Sequence, residues 1–149
     1  MPGDFCHLRV HSQYSILDAT ASVEALAKEA AEQKMPALAI TDHGNLHGAV
    51  EFFKACQSVK IRPVIGCELY VAPKSRSLKA KIEGMRPAYS LPLLVKDQIG
   101  YRNLCKLSSI GFLEGFYYYP RIDWELLEKY REGLICLSGA MGSRLASEI

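Results

Sequence analysis

The stretch Ala37-Leu38-Ala39-Ile40-Thr41-Asp42-His43-Gly44-Asn45 passes from a short apolar run to an acid, an imidazole and a glycine that permits a tight turn. A run of this length bounded by turn residues reads as a buried strand leaving into a loop. Upstream, residues 22–34 carry Val23, Leu26, Ala27, Ala30 and Ala31 at helical spacing, with Pro36 beyond the end. Another apolar run, at 6–11, precedes that helix. The order is therefore strand, helix, strand, the unit from which α/β domains with mainly parallel strands are built. Further runs at 62–71, 91–96, 116–119 and 134–137 continue the alternation. Helical patterns separate them at 46–59, with Ala49, Val50 and Phe53 on one side, and at 100–110, with Leu104, Leu107 and Ile110 at spacings of three. A shorter helix is predicted at 123–130, where Asp123 is placed to cap it.

Composition sets the bounds. The chain has 149 residues, 49% hydrophobic and 23% charged, with a formal net charge of +2, which excludes a disordered tail, a collagen-like fibre and a coiled coil. That length is enough for one core and too short for two well-formed domains. The small charge is not the footprint of a dedicated polyanion binder, and it neither implies nor excludes nucleic acid. The amino terminus lacks a secretory apolar core and no run is long enough to span a bilayer, so the expected location is cytoplasmic with no membrane partner. Five cysteines without a C-x-x-C pair read as reduced thiols rather than a disulfide framework or a zinc ribbon. Residues 73–87 hold Lys74, Arg76, Lys79, Lys81 and Arg86 against one acid, Glu83. This is an exposed basic excursion, either a solvated loop or a surface for a phosphate backbone or an acidic partner. Residues 141–149 look like the opening of a helix without a terminal cap, as expected of a chain cut inside a larger fold.

Ligand-type side chains gather where strands end, the place where α/β folds keep their functional groups. His7, Arg9 and His11 share one face if 6–11 is a strand, Asp18 follows in the next loop, Asp42 and His43 leave the second strand, and Glu68 lies within the third. Neutral imidazoles with carboxylates suit Zn²⁺, Mn²⁺ or Fe²⁺. Turn and helix-capping roles are the competing reading for Asp18 and Asp42.

The blocks HLRVHSQYSILDA, PALAITDHGNLHGAVEFFKAC, RPVIGCELYVAP, GYRNLCKLSSIGFLEGFYYYPRID and GLICLSGAMGS, in that order, closely resemble the polymerase-and-histidinol-phosphatase (PHP) domain at the amino terminus of bacterial DNA polymerase III α subunits. The resemblance implies a distorted (β/α)7 barrel of which residues 1–149 form the amino-terminal portion, truncated before the last strands and without palm, fingers or thumb. It also implies a metal centre built from a His-x-His pair, a following Asp, the His of an Asp-His-Gly turn, a Glu, a later His and a Cys, and an Asp-x-His beyond this chain. By position, His11, Asp18, His43 and Glu68 are kept, whereas Arg9, Ser90 and Ala140 stand where the family has His, His and Cys. A guanidinium has no lone pair to donate, so Arg9 is expected to pair with Asp18 or Glu68 and close the cleft. Asp42 is expected either to orient the His43 ring or to cap the turn. His7 is expected to be structural. Tyr117, Tyr118 and Tyr119 read as alternating strand faces, with base stacking as the other role such a run can serve.

The implied function is that of a PHP domain whose metal centre has degraded, serving as scaffold and docking site for a proofreading exonuclease. The parent polymerase would extend DNA with Mg²⁺, alongside the other holoenzyme subunits. The alternative is a residual Zn²⁺- or Mn²⁺-dependent phosphoesterase or 3′–5′ exonuclease. A free-standing phosphatase should lack the GYRNLCKLSSIGFLEGFYYYPRID block. Nothing within 1–149 supplies the acidic pair of a polymerase palm, so the isolated chain is not expected to extend primers.

Overall fold

The computed structural model describes residues 5–147. Its elements run α1 (Val23–Glu32), β1 (Ala37–Ile40), α2 (Ala49–Ser58), β2 (Arg62–Val71), β3 (Tyr89–Val95), α3 (Gln98–Leu113), β4 (Arg121–Ile122), α4 (Trp124–Tyr130), β5 (Leu134–Cys136) and α5 (Arg144–Ser147). The α/β class expected from the sequence is present. Strand β2 is the hub: β1 and β4 pair with it in parallel, β3 pairs with it antiparallel, and β5 lies antiparallel on β3.

Register decides what each face of the sheet does, because successive strand residues alternate sides. The pairs Ile40 with Ile65, Cys67 with Leu93, Leu69 with Leu91 and Val71 with Ile122 put apolar side chains on one face. There they form two cores, one with Leu104 and Leu107 of α3 and Leu126 of α4, the other with Val23, Ala27 and Ala30 of α1 and Phe52 and Cys56 of α2. The opposite face carries Glu68, Tyr70, Ser90 and Arg121, and continues to His43 through an isolated parallel bridge between His43 and Glu68. Helices thus cover one side, and polar chemistry is left to the other.

The cap expected at Asp123 is present, and Ser22 and Asp97 cap α1 and α3 in the same way. The Ser22 hydroxyl accepts from the Ala25 N–H, and the carboxylates of Asp97 and Asp123 accept from Gly100 and Leu126. The face of α2 is corrected: Ala49, Phe52 and Cys56 are buried, while Val50 and Phe53 are exposed. Spacings of three and four from Ala49 to Cys56 follow the helix surface, and Val50 and Phe53 lie a residue further round.

Two runs read as strands are not strands. The segment 6–11 lies alongside β1, with Ala39 N–H donating to the His7 carbonyl and Thr41 N–H to the Val10 carbonyl, at 2.9 and 2.7 Å. Val10 N–H turns to the Thr41 hydroxyl instead of a backbone partner, so a side chain interrupts the ladder. At 116–119, Tyr118 takes φ 60° and Tyr117 bonds back to Tyr119, forming a tight bend rather than alternating faces. Strand pairing resumes only at Arg121. Helix α5 lies at the expected place, and residues 148 and 149 of that reading fall outside the described residues.

Among the described residues the cysteines are free, with Cys56 and Cys67 buried and Cys136 exposed. No helix among them is long and apolar enough to cross a membrane.

Candidate metal centre

Glu68 sits on the polar face of β2, 1% exposed, and its carboxylate makes three hydrogen bonds, two with Arg9 and one with His11. The Arg9 Nε donates to its Oε2 at 2.6 Å and the Arg9 Nη2 to its Oε1 at 2.9 Å, so the guanidinium fork spans both carboxylate oxygens. The His11 Nε2 lies 3.1 Å from Oε2. Arg9 therefore takes Glu68 and not Asp18, resolving the two partners expected for it. Burial pushes the Glu68 carboxyl up, but the hydrogen bonds from His11 and Arg9, together with the Arg9 charge, outweigh it and hold the pKa at about 2.

His43 reaches the cluster from the turn after β1. Its ring lies 4.1 Å from that of His11, centroid to centroid, and its Nε2 lies 3.6 Å from Asp18 Oδ2 at the exposed rim. Burial and the neighbouring His11 lower its pKa, against the pull of Glu68 and Asp18. The His43 Nδ1 is buried without a hydrogen-bond partner. Backbone supports the turn: Glu68 N–H donates to the Asp42 carbonyl, and Gly44 N–H to the Glu68 carbonyl. Gly44 has φ 69°, and a Cβ there would press on Pro120 and the Tyr70 ring, so two constraints require glycine.

Asp42 caps the turn. Its carboxylate accepts from the Ser12 N–H at 2.6 Å and from the hydroxyls of Ser12 and Ser15 at 2.8 and 2.6 Å. The Ser15 hydroxyl in turn accepts from the His43 N–H. Asp42 thus ties the segment carrying Asp18 to the end of β1 and holds the His43 backbone, while the ring is placed by other contacts. The loop to Asp18 closes on the Ser15 carbonyl, which accepts from Asp18 and Ala19.

Ser90 lies on β3 opposite Tyr70, and its N–H donates to the Gly142 carbonyl. Ala140 is exposed in that adjoining turn. His7 contributes its carbonyl to β1 and its ring is exposed against Phe5.

Three contributors were not singled out from the sequence. The Tyr70 ring stacks toward His43 at 6.1 Å and contacts Tyr119 at 4.6 Å, and its hydroxyl is pushed up to about 12 by burial and then by Tyr119. Its position two after Glu68 on one strand is a signal that would have found it. Ser12 and Ser15 had none beyond being small polar residues near a buried acid.

His11, His43 and Glu68 bring three ligand atoms within 4.8 Å of one another, a group that could hold one metal ion. The unpartnered His43 Nδ1 is in keeping with such a group. The Glu68 carboxylate is not, since Arg9 occupies both its oxygens and places a fixed positive charge where an ion would approach. Ser90 and Ala140 add no imidazole or thiolate. The residues present do not fit the multi-ion centre that the sequence pattern implies for the family.

A protein from Bifidobacterium adolescentis described as a metal-dependent phosphoesterase matches with a TM-score of 0.51, at 16% identity over 73% of this chain and 34% of that one. An amidohydrolase from Chromobacterium violaceum matches with the same TM-score, at 21% identity over 72% of this chain and 33% of its own. These likenesses concern the fold alone.

The chain belongs to the PHP domain family, whose model matches residues 7–148. It is 58% identical over 139 residues to the DNA polymerase III subunit alpha of Chlamydia trachomatis, covering 93% of this chain and 11% of that protein. The corresponding subunit of Borreliella burgdorferi is 49% identical, with 93% and 12% covered, and that of Deinococcus radiodurans 45% identical, with 97% and 11% covered. The chain therefore spans about a tenth of the length of these relatives.

Proposed function

We propose that this chain is the amino-terminal PHP domain of the catalytic α subunit of a bacterial replicative DNA polymerase III, and that it serves there as a scaffold and as a docking site for a proofreading exonuclease. Identities of 45–58% to subunits of that name support the parentage. The observation that carries the scaffold role is the Arg9 fork on Glu68, which replaces an ion–carboxylate contact with an internal ion pair. In this reading Arg9, Glu68 and His11 hold the 6–11 segment to β2, and His43 and Asp42 fix the turn between them. The ancestral cleft is closed by charge-neutral packing, which weighs against the residual phosphoesterase reading. Polymerisation would occur elsewhere in the parent protein with Mg²⁺, in the cytoplasm, on DNA and with the other holoenzyme subunits.

The test uses the intact protein. It should extend a primed template, and His43→Ala should leave both extension and any 3′–5′ nuclease rate within twofold. A metal-dependent nuclease rate that falls at least tenfold in His43→Ala would overturn the scaffold reading while leaving the parentage standing. Failure to extend any primed template would overturn the parentage. A purified exonuclease subunit should co-elute with the intact protein, and its absence from the complex would remove the docking role.

A further inference from the structure

Beyond the His/Glu cluster, the polar face continues from β2 onto β4 at Arg121, which pairs in register with Tyr70. Arg121 is 1% exposed. Its guanidinium donates to four carbonyls, those of Gly115, Pro87, Arg76 and Leu78, and stands 4.9 Å over the Tyr117 ring. These contacts satisfy its hydrogen bonds but leave its charge without a carboxylate among the described residues. A buried cation ordinarily has one. Arg76, by contrast, is neutralised by Asp123 and Glu114.

The reason to look outward from Arg121 is the cleft it borders. Folding of the 73–87 excursion over the Tyr117–Tyr118 bend encloses about 240 Å³, walled by Lys81, Arg86, Ile82 and Met85 as well as by Arg121 and the two tyrosines. Among the described residues no Asp or Glu lines it. Lys81 has no hydrogen bond or ion pair among the described residues, and Arg86 makes one long contact, to the Met141 carbonyl at 3.5 Å. Tyr118, held by its positive φ, projects at the rim with 72% of its surface exposed. Lys79, just outside, donates to the Glu114 carbonyl, and its pKa is lowered by burial and by the Arg121 charge.

We propose that this cleft is a binding site for single-stranded nucleic acid, with a backbone phosphate held by Lys81 and Arg86 above the uncompensated charge of Arg121 and a base laid against Tyr118. Phosphate supplies the missing anion, and an exposed aromatic ring beside cations is the arrangement by which single strands are held without sequence readout. An acidic polypeptide would satisfy the cations but has no use for the aromatic rim and the apolar wall of Ile82 and Met85. The inference does not rest on the polymerase reading, since it uses a different set of side chains from the Glu68 cluster.

The test is photo-crosslinking in the intact protein carrying Tyr118→p-benzoylphenylalanine, with a labelled twelve-residue oligothymidylate as probe. The expected result is a crosslink at position 118 whose yield at subsaturating probe falls about tenfold when Lys81→Glu and Arg86→Glu are added, and which Lys34→Glu, on a remote surface, leaves unchanged. Two lost phosphate contacts should also flatten the salt dependence of crosslinking by about 1.4 in the log–log slope. Thymidine monophosphate should compete only at far higher concentration than unlabelled oligomer; equal competition would reassign the site to free nucleotides and overturn the strand reading. Competition by polyglutamate as strong as that by the oligomer would overturn it in favour of an acidic partner. No crosslink, or one indifferent to the two charge reversals, would overturn it outright.

Discussion

Replacing Arg9 by Met tests how the cluster is held together. Arg9→Met keeps an unbranched side chain and removes the fork from both oxygens of Glu68. In the native chain the Glu68 carboxyl lies at about 2 against an ordinary 4.5. At 1.36 kcal/mol per pH unit that difference corresponds to about 3.4 kcal/mol, the net of burial against the combined pull of His11 and Arg9. The Arg9 side chain is 38% exposed, so solvent screening reduces the usable part to about 1–2 kcal/mol. Because the folded pKa is below the unfolded one, this stabilisation is fully present above about pH 4.5 and is lost as pH falls through 2. Arg9→Met also leaves a buried carboxylate with only His11 as partner, and burial then drives its pKa upward. Urea unfolding at pH 7 should show the variant about 2 kcal/mol less stable, with the gap closing steadily toward pH 3. A gap under about 0.5 kcal/mol at pH 7, or one that does not change between pH 7 and 3, would refute the argument.

Other outcomes follow from the same geometry. Asp42→Ala strands the Ser12 N–H and two serine hydroxyls in a buried site, and should lower unfolding stability by about 3 kcal/mol in the same urea assay. The lowered His43 pKa means that its neutral form is the folded one, so its contribution is present above about pH 6.5 and declines as pH falls below that. His43→Gln should therefore lose the acid-side slope of stability against pH that the native chain has just below 6.5. Gly100→Ala would drive a methyl group into the Gly133 carbonyl, a backbone atom that cannot rotate away, and should cost about 3 kcal/mol or more, read as a fall in Tm.

Much of this was legible because local and tertiary demands agree. Asp123 caps the helix it was expected to begin, and the apolar runs at β1 and β2 are strands that pair with each other in parallel register. The 6–11 and 116–119 runs were misread because apolar content does not reveal backbone pairing. Thr41 supplies a side-chain acceptor in one case, and a left-handed tyrosine turns the chain in the other. In the site, the meeting of His11, His43 and Glu68 was anticipated from strand ends, and lone-pair chemistry foretold that Arg9 would bind a carboxylate. Which carboxylate, and that Asp42 would face Ser12 and Ser15, depended on which face of the sheet each side chain reaches. That is a property of register between segments far apart in sequence.

The most direct test of the closed centre is the metal content of the intact protein equilibrated with Zn²⁺ and Mn²⁺, measured beside Glu68→Ala, His11→Ala and Arg9→His. The account predicts the same content in the native protein and both alanine variants, with only a modest gain in Arg9→His because Ser90 and Ala140 still supply no ligand. About one equivalent of metal in the native protein, lost in both Glu68→Ala and His11→Ala, would contradict it.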